Sequence, residues 1–307
     1  MISPGIQGRM TLLAIEREIG FYITMHAIVF MMLLTAADPS VIRTRIKGSL
    51  TQSLERSDPL NGQMLAMQVE RLVRWKGDPC RKIHAGDSIS VVYTRDAMPE
   101  LLAVEYKGLE VTFDAYRHQD SDGMMRFFDG TGYRYEAVLN NSPTVYAQVT
   151  EWMQCKQRGQ RGHKGIDLKS DTGTPVVAPF AGTVTRVNWS RRVNGLCIEM
   201  VHPGGKITRF LHLSEVAKGI HRGAHVAKGQ HIGRVGSTGR SSAPHLHYEI
   251  EGSHGRPIDP IKLHGTSPPT QLTGTQLTAF QQVLANYNRL IDGVACKGSP
   301  CVAASRR

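Results

Sequence analysis

The stretch "APHLHYEIEG", residues 243–252, places two histidines two positions apart in an apolar run that favours β structure. Successive side chains of a strand point to opposite faces of the sheet. One face of this strand therefore carries His245, His247 and Glu249. The other face carries the apolar side chains of Leu246, Tyr248 and Ile250. The pattern predicts a strand with one face in a core and a polar face that is free for chemistry.

The sequence on both sides of this strand is typical of a β-rich domain. Between Gly162 and Pro260, short apolar runs such as "GTVTRVNW", "LCIEMVH" and "ITRFLHL" are separated by glycines. Closely spaced strands with turn signals predict an antiparallel sandwich or barrel-like core. The 31 glycines among the 307 residues also suit such a fold.

The upstream sequence predicts a second, smaller module of the α+β type. Residues 58–75 carry apolar side chains at helical spacing, and the strand-like runs "SISVVYT" and "LLAVEYKGLEVTFDAY" follow them. Near the C-terminus, the pattern predicts an amphipathic helix over residues 276–291, which Gly293 would end. The chain is long enough for two domains, each with its own core.

The net charge of the chain indicates which classes of partner it would bind. A formal net charge of +11 favours a polyanion, namely nucleic acid, anionic lipid or an acidic cell-wall polymer. The sequence contains no stripe of basic and aromatic residues and no nucleic-acid-binding motif. We therefore predict no nucleic-acid partner.

The N-terminal segment "FYITMHAIVFMMLLTAA", residues 21–37, predicts export. Its strongly apolar part, residues 27–34, is too short for a membrane span but suits the core of a signal peptide, with Ala36 and Ala37 near a cleavage point. Basic residues follow between positions 43 and 47, and by the positive-inside rule they oppose export. We favour a signal peptide or membrane anchor over a buried N-terminal helix.

The five cysteines do not form a complete disulfide framework, because their number is odd. Cys296 and Cys301 would close a small loop in an oxidising compartment. Cys197 lies in an apolar run and is predicted to be a buried thiol. No C-x-x-C pair is present, which argues against a structural zinc knuckle.

Ten of the thirteen histidines fall between residues 163 and 264. Taken singly, each has a simple structural interpretation. His163 and Asp167, four residues apart, would be an ion pair on a helix, although the glycines around them favour a loop that leads into a strand. His212, between two leucines, would be a hydrogen-bonded core residue. Six others are assigned to surface or turn positions: His202, His221, His225, His231, His254 and His264.

Taken together, four of these histidines and one aspartate predict a catalytic zinc site. Such sites use three protein ligands, from histidine and carboxylate, and keep a position for water. His163, Asp167 and His247 would be the ligands, and the metal would lower the pKa of the water from 15.7 toward about 7. His245 would accept the proton of the water, and His212 would either orient the water or stabilise the oxyanion.

The motifs "HKGID", "GTPVVAPFAGTV", "FLHL", "VAKGQHIGRVGSTGRSSAPHLHYEI" and "PIDP" resemble those of lysostaphin-type (LytM-domain) zinc peptidases, over roughly residues 160–262. The resemblance implies hydrolysis of peptide bonds in bacterial peptidoglycan. It also implies metal ligation by His163, Asp167 and His247, and catalytic roles for His212 and His245. Phe210 stands where the family usually has tyrosine, and we expect this change to remove a hydroxyl near the groove.

The upstream motifs "HAGDSISVVY" and "RFFDGTGY" resemble the N-terminal region of Gram-negative murein DD-endopeptidases of the same family. The resemblance implies a periplasmic or inner-membrane-anchored enzyme that cuts cross-links between stem peptides. In some relatives the N-terminal module packs on the active site of its own chain and holds the enzyme latent. The implied parts are a signal-peptide or anchor region (1–45), an N-terminal α+β regulatory module (46–142), a zinc peptidase domain (143–265), and a C-terminal helix and tail (266–307).

The predicted function is thus that of a zinc-dependent endopeptidase acting on the peptide cross-links of peptidoglycan. Three alternatives stay open. The first is a non-catalytic LytM-like protein that binds the cell wall or activates an amidase, against which the complete ligand set argues. The second is a lipoyl- or biotinyl-type carrier domain, whose chemistry gives no reason for "HLH". The third is a peptidase acting on another glycine-rich protein.

Overall fold

The computed structural model describes residues 39–153 and 162–293. The predicted signal-peptide core (27–34) and the predicted loop between Cys296 and Cys301 lie outside these residues. Among the described residues, no helix combines the length and the apolar character needed to cross a membrane.

The N-terminal half folds around an antiparallel five-stranded sheet whose strand order follows the chain. Its strands are β1 (Ser40–Arg45), β2 (Ser88–Tyr93), β3 (Leu101–Lys107), β4 (Thr112–Gln119) and β5 (Met125–Phe128). The helices in the described part of this half are α1 (Leu50–Ser57), α2 (Gly62–Arg74) and α3 (Pro79–Lys82). Residues 40–45 fall within the predicted signal or anchor region (1–45). They pair with β2 as an edge strand, and Ile42 is buried in the core of this half.

The helices α1 and α2 cover one face of this sheet. A capping box starts α1, since the Gln52 backbone N–H donates to the Ser49 hydroxyl (3.1 Å) and the Gln52 side chain accepts from the Ser49 N–H (3.4 Å). The apolar positions that predicted α2 are all fully buried, as expected for one face of an amphipathic helix: Leu65, Val69, Leu72 and Val73.

The C-terminal half has the predicted antiparallel, β-rich fold. Its main sheet has eight strands, in the order β14-β10-β11-β12-β16-β8-β7, with β17 paired to β16, and it packs against a smaller sheet, β13-β15-β9. The bounds are β7 (Gln148–Glu151), β8 (Gly165–Lys169), β9 (Pro175–Val177), β10 (Gly182–Val187), β11 (Leu196–Val201), β12 (Ile207–Leu213), β13 (Glu215–Val216), β14 (His225–Val226), β15 (His231–Arg234), β16 (His245–Glu251) and β17 (Pro257–Ile258). A small ribbon pairs β6 (Val138–Leu139) with β18 (Thr266–Ser267), and the short helices are α4 (Arg191–Asn194) and α5 (Pro260–His264).

The predicted C-terminal helix is present as α6 (Gly274–Asp292). It returns to the N-terminal half and packs on the face of the first sheet that α1 and α2 leave open. Phe280 is fully buried there, with its ring centroid 5.8 Å from that of Phe128 and 6.4 Å from that of Tyr116. Both faces of the first sheet are therefore covered by helices.

The segment between the two halves buries a carboxyl group. Glu136 is 2 % exposed, and its side chain accepts a hydrogen bond from the Val149 N–H at the start of the second sheet (3.2 Å). Burial raises the pKa of Glu136 to about 7. This value lies above the usual 4.5, so the folded state favours the protonated form of Glu136. The free energy of unfolding therefore falls as pH rises from 4.5 through 7 and the carboxyl group ionises.

We therefore expect Glu136→Gln to stabilise the protein at pH 8 and to have no such effect at pH 4.5. The amide keeps a hydrogen-bond acceptor and cannot ionise, so the gain in the free energy of unfolding should be of the order of 3 kcal/mol at pH 8. Urea denaturation at the two pH values measures it, with exposed Glu110→Gln as the control. Equal gains at both pH values would show that Glu136 does not titrate in the folded protein.

Candidate metal centre

Three adjacent strands of the main sheet carry the candidate site. Asp167 on β8 lies directly opposite His247 on β16, and Leu211 on β12 lies opposite His247 from the other side. The alternation predicted for β16 is present, since the apolar side chains are at most 1 % exposed: Leu246, Tyr248 and Ile250. The polar face of β16 opens into a cleft of about 670 Å³.

The predicted loop that leads into a strand at residues 163–167 is present as well. His163 lies in the loop before β8, and Asp167 lies within that strand. Gly165 allows β8 to approach β16 closely, because a Cβ atom at this position would lie 2.1 Å from the carbonyl oxygen of Tyr248. The close approach sets Asp167 against the strand that carries His247.

Three possible ligand atoms meet at one point. The Nε2 atom of His163 lies 3.0 Å from Nδ1 of His247 and 3.2 Å from Oδ1 of Asp167, and Nδ1 of His247 lies 2.8 Å from the same oxygen. The sequence placed these residues up to 84 positions apart. Within the described residues, these three side chains form the cluster of histidine and carboxylate groups that could hold a metal ion.

The outer nitrogen of each imidazole has its own acceptor. Nδ1 of His163 donates to the backbone carbonyl of Trp152 (3.1 Å), and Nε2 of His247 donates to the carboxylate of Glu249 (3.0 Å). In a neutral imidazole only one nitrogen carries a proton. In the neutral form that binds a metal, the inner nitrogens are lone pairs, and with the Asp167 oxygen they make three acceptors that face one another.

The electrostatics of the centre favour a cation. Burial lowers the pKa of His247, but hydrogen bonds to Asp167 and Glu249 outweigh it and raise the pKa to about 9. Burial raises the pKa of Asp167, yet hydrogen bonds from His163 and His247 hold it well below its usual range. The raised pKa of His247 and the lowered pKa of Asp167 have one cause, because positive charge is stabilised beside the carboxylates at this point.

The donor set fits a zinc ion. Zinc in proteins binds histidine nitrogen and carboxylate oxygen at about 2.0–2.2 Å, with tetrahedral geometry. Such bonds place neighbouring ligand atoms about 3.3 Å apart. The observed separations of 2.8 to 3.2 Å are close to that value.

His245 and His212 lie beside this centre. Nδ1 of His245 donates to the carbonyl of Ala243 (2.7 Å), and its Nε2 lies 3.7 Å from Oδ2 of Asp167. Nδ1 of His212 donates to the carbonyl of Thr238 (2.8 Å), and its ring centroid is 4.9 Å from that of His245. Among the described residues, each ring thus has a backbone partner for Nδ1 and none for Nε2.

A β-bulge orients His212. Strand β12 has one residue more than β11 between the pairs that flank Cys197, so Leu211 and His212 both lie opposite Cys197. His212 has a φ of 63°, a left-handed conformation that side chains other than glycine rarely adopt. A regular strand would point His212 into the core with Phe210, whereas the bulge turns it into the cleft. His212 is thus buried and hydrogen-bonded, as its simple interpretation predicts, but its ring lines the cleft.

One expectation needs correction. Phe210 is fully buried and stacks on Tyr248, with ring centroids 5.4 Å apart, so it lies in the core and the missing hydroxyl is not at the groove. His202, assigned to a surface or turn position, lies at a turn, since its carbonyl accepts from the Gly205 N–H (3.0 Å). Its ring is buried, and the ring nitrogens contact the Ala181 carbonyl and the Thr208 hydroxyl, both at 2.8 Å. The predicted buried thiol of Cys197 is present.

Sequence comparison identifies the fold that carries this centre. Residues 161–260 match the sequence profile of Peptidase family M23. This part of the chain is a Peptidase family M23 domain. All three candidate ligands, together with His212 and His245, lie within the M23 domain.

Sequence similarity to known proteins extends beyond the M23 domain. The chain is 27 % identical over 245 residues to an uncharacterized metalloprotease of Haemophilus influenzae, covering 74 % of this chain and 49 % of that protein. It is 26 % identical over 260 residues to the peptidoglycan DD-endopeptidase ShyB of Vibrio cholerae, covering 80 % and 58 %. It is 28 % identical over 292 residues to the DD-carboxypeptidase/endopeptidase Mpg of Neisseria meningitidis, covering 89 % and 64 %. The chain thus spans between about half and two thirds of the length of these relatives.

Proposed function

We propose that this protein is a zinc-dependent endopeptidase that hydrolyses the peptide cross-links of bacterial peptidoglycan. The observation that carries the proposal is the convergence of three acceptor atoms, from His163, Asp167 and His247, at the floor of an open cleft. A zinc ion held there would supply a water of lowered pKa as nucleophile and would polarise the peptide carbonyl. The relatives named as peptidoglycan endopeptidases support the choice of substrate, and a location in the cell envelope or periplasm follows from it.

The two remaining histidines have distinct parts in this proposal. Burial lowers the pKa of His212 to about 4, so its ring is neutral at pH 7 and its Nε2 accepts hydrogen bonds but donates none. Of the two roles that the sequence left open, this favours orientation of the water over stabilisation of an oxyanion. His245, which also presents Nε2 to the cleft, would accept the proton of the water and pass it to the leaving amine.

Digestion of purified sacculi tests the function. The protein is incubated with cross-linked sacculi, with zinc or with a chelator, and the products are separated and identified by mass spectrometry. We expect cross-linked dimers to be converted to monomers only in the presence of metal. A folded, zinc-loaded protein that leaves the dimers intact would favour the alternative of a non-catalytic protein that binds the cell wall or activates an amidase.

We also propose that the N-terminal half restricts access to the cleft. Side chains of α2, including Met64 and Met67, line a recess of about 320 Å³ together with Asp167 and His245. A bulky substrate must share this space. The double variant Met64→Ala/Met67→Ala is therefore expected to release muropeptides from sacculi faster than the wild type, with Met125→Ala on β5 as the control. Equal rates for all three proteins would argue against latency.

A further inference from the structure

A line of alternating charges crosses the polar face of the main sheet. Arg186 on β10, Glu199 on β11, Arg209 on β12 and Glu249 on β16 are direct cross-strand partners, each opposite the next. The Nε atom of Arg186 donates to Glu199 (2.8 Å), and that of Arg209 donates to the same carboxylate (2.7 Å). Cross-strand pairs of opposite charge stabilise a sheet. We call these four residues the charge ladder.

The last member of the charge ladder contacts a candidate metal ligand. Nη1 of Arg209 donates to one oxygen of Glu249 (3.1 Å), and the other oxygen of Glu249 accepts from Nε2 of His247 (3.0 Å). The side chains of Arg209 and Glu249 are only 15 % and 14 % exposed. Water therefore competes weakly for these contacts.

We propose that Glu249 and Arg209 are positioning residues for the metal centre, an inference that rests on the proposed function. Glu249 holds the Nε2–H of His247 and so leaves Nδ1 as the nitrogen directed at the centre. Arg209 occupies the second oxygen of Glu249 and thereby fixes the orientation of the carboxylate. A carboxylate behind a histidine ligand raises the basicity of that ligand and fixes its ring.

Glu251 provides a matched control for Glu249. It lies two residues further along β16, on the same face, and accepts from the same Nη1 atom of Arg209 (2.8 Å). It makes no hydrogen bond to a histidine among the contacts of the described residues. Replacing either glutamate disturbs the charge around Arg209 to a similar degree, but only Glu249 contacts His247.

The test is the zinc affinity of the full chain, measured by competition with a chromophoric chelator. Glu249→Ala should weaken zinc binding about 10- to 100-fold, and Glu249→Gln should recover most of that loss because its amide oxygen still accepts a hydrogen bond. Glu251→Gln should bind zinc as the wild type does. Arg209→Lys, which loses the planar fork but keeps the charge, should show a smaller loss than Glu249→Ala.

The outcomes separate this inference from the proposed function. Thermal unfolding of the metal-free proteins shows whether each variant is folded, and the Gln variant keeps the size of the side chain if the Ala variant is unstable. Wild-type zinc affinity in both Glu249 variants, or an equal loss in Glu251→Gln, would overturn the positioning role and leave the metal centre intact. A wild-type protein that binds no zinc would overturn both.

Discussion

Replacing Asp167 by alanine is expected to reduce hydrolysis of peptidoglycan cross-links by about a thousandfold or more, because metal catalysis supplies several kcal/mol of transition-state stabilisation. The variant removes the single carboxylate from the cluster of three acceptors and leaves two imidazoles, which bind zinc more weakly and without the negative charge. Release of muropeptides from sacculi measures the effect. The loss should persist at saturating substrate, since the cleft itself is unchanged.

The matched control is Asp171→Ala, which removes an exposed aspartate four residues along the chain. It should hydrolyse cross-links at the wild-type rate. If Asp167→Ala is folded and retains more than about a tenth of the activity, Asp167 is not a ligand of a catalytic metal. If both variants lose activity equally, the loss reflects the fold of this segment rather than the centre.

Replacing His245 by alanine is expected to lower kcat by about 10²- to 10⁴-fold while zinc binding is retained. His245 lies beside the three candidate ligands, with Nε2 at 3.7 Å from Asp167, and is not one of them. It is therefore positioned to transfer a proton. The measurement is a pair of values for each protein, the rate with a purified muropeptide dimer and the bound zinc per chain.

His231→Ala is the control for this variant, because His231 is an exposed histidine on β15, outside the cleft. It should change neither value. A His245→Ala protein that loses zinc would show that His245 supports the metal rather than transferring a proton. A protein that keeps both zinc and rate would remove His245 from the mechanism.

Strand β16 could be predicted from the sequence because its alternation is regular. Leu246, Tyr248 and Ile250 are apolar and fill the core, so the histidines had to share the other face. The loop before Asp167 could be predicted for a similar reason, since its glycines exclude a helix. The length of α6 also agreed with prediction, at residues 274–292 against 276–291.

Other features depend on contacts that the local sequence does not encode. The orientation of His212 results from a bulge, and "FLHL" shows no sign of the extra residue in β12. The packing of α6 on the first sheet could not be predicted, because the local sequence does not show which face of that sheet α1 and α2 leave open. The contact between Glu249 and Arg209 joins two strands 40 residues apart. The one local signal for Glu249 was its place two residues after His247, on the same face of β16.

The most direct measurement of the central claim is the zinc content of the purified, folded chain, determined by atomic emission spectroscopy after dialysis. We expect one zinc ion per chain in the wild type and none in a protein that carries both His163→Ala and His247→Ala. Circular dichroism establishes that both proteins are folded. A folded wild type without zinc in a metal-replete buffer, or full zinc in the double variant, would contradict the account.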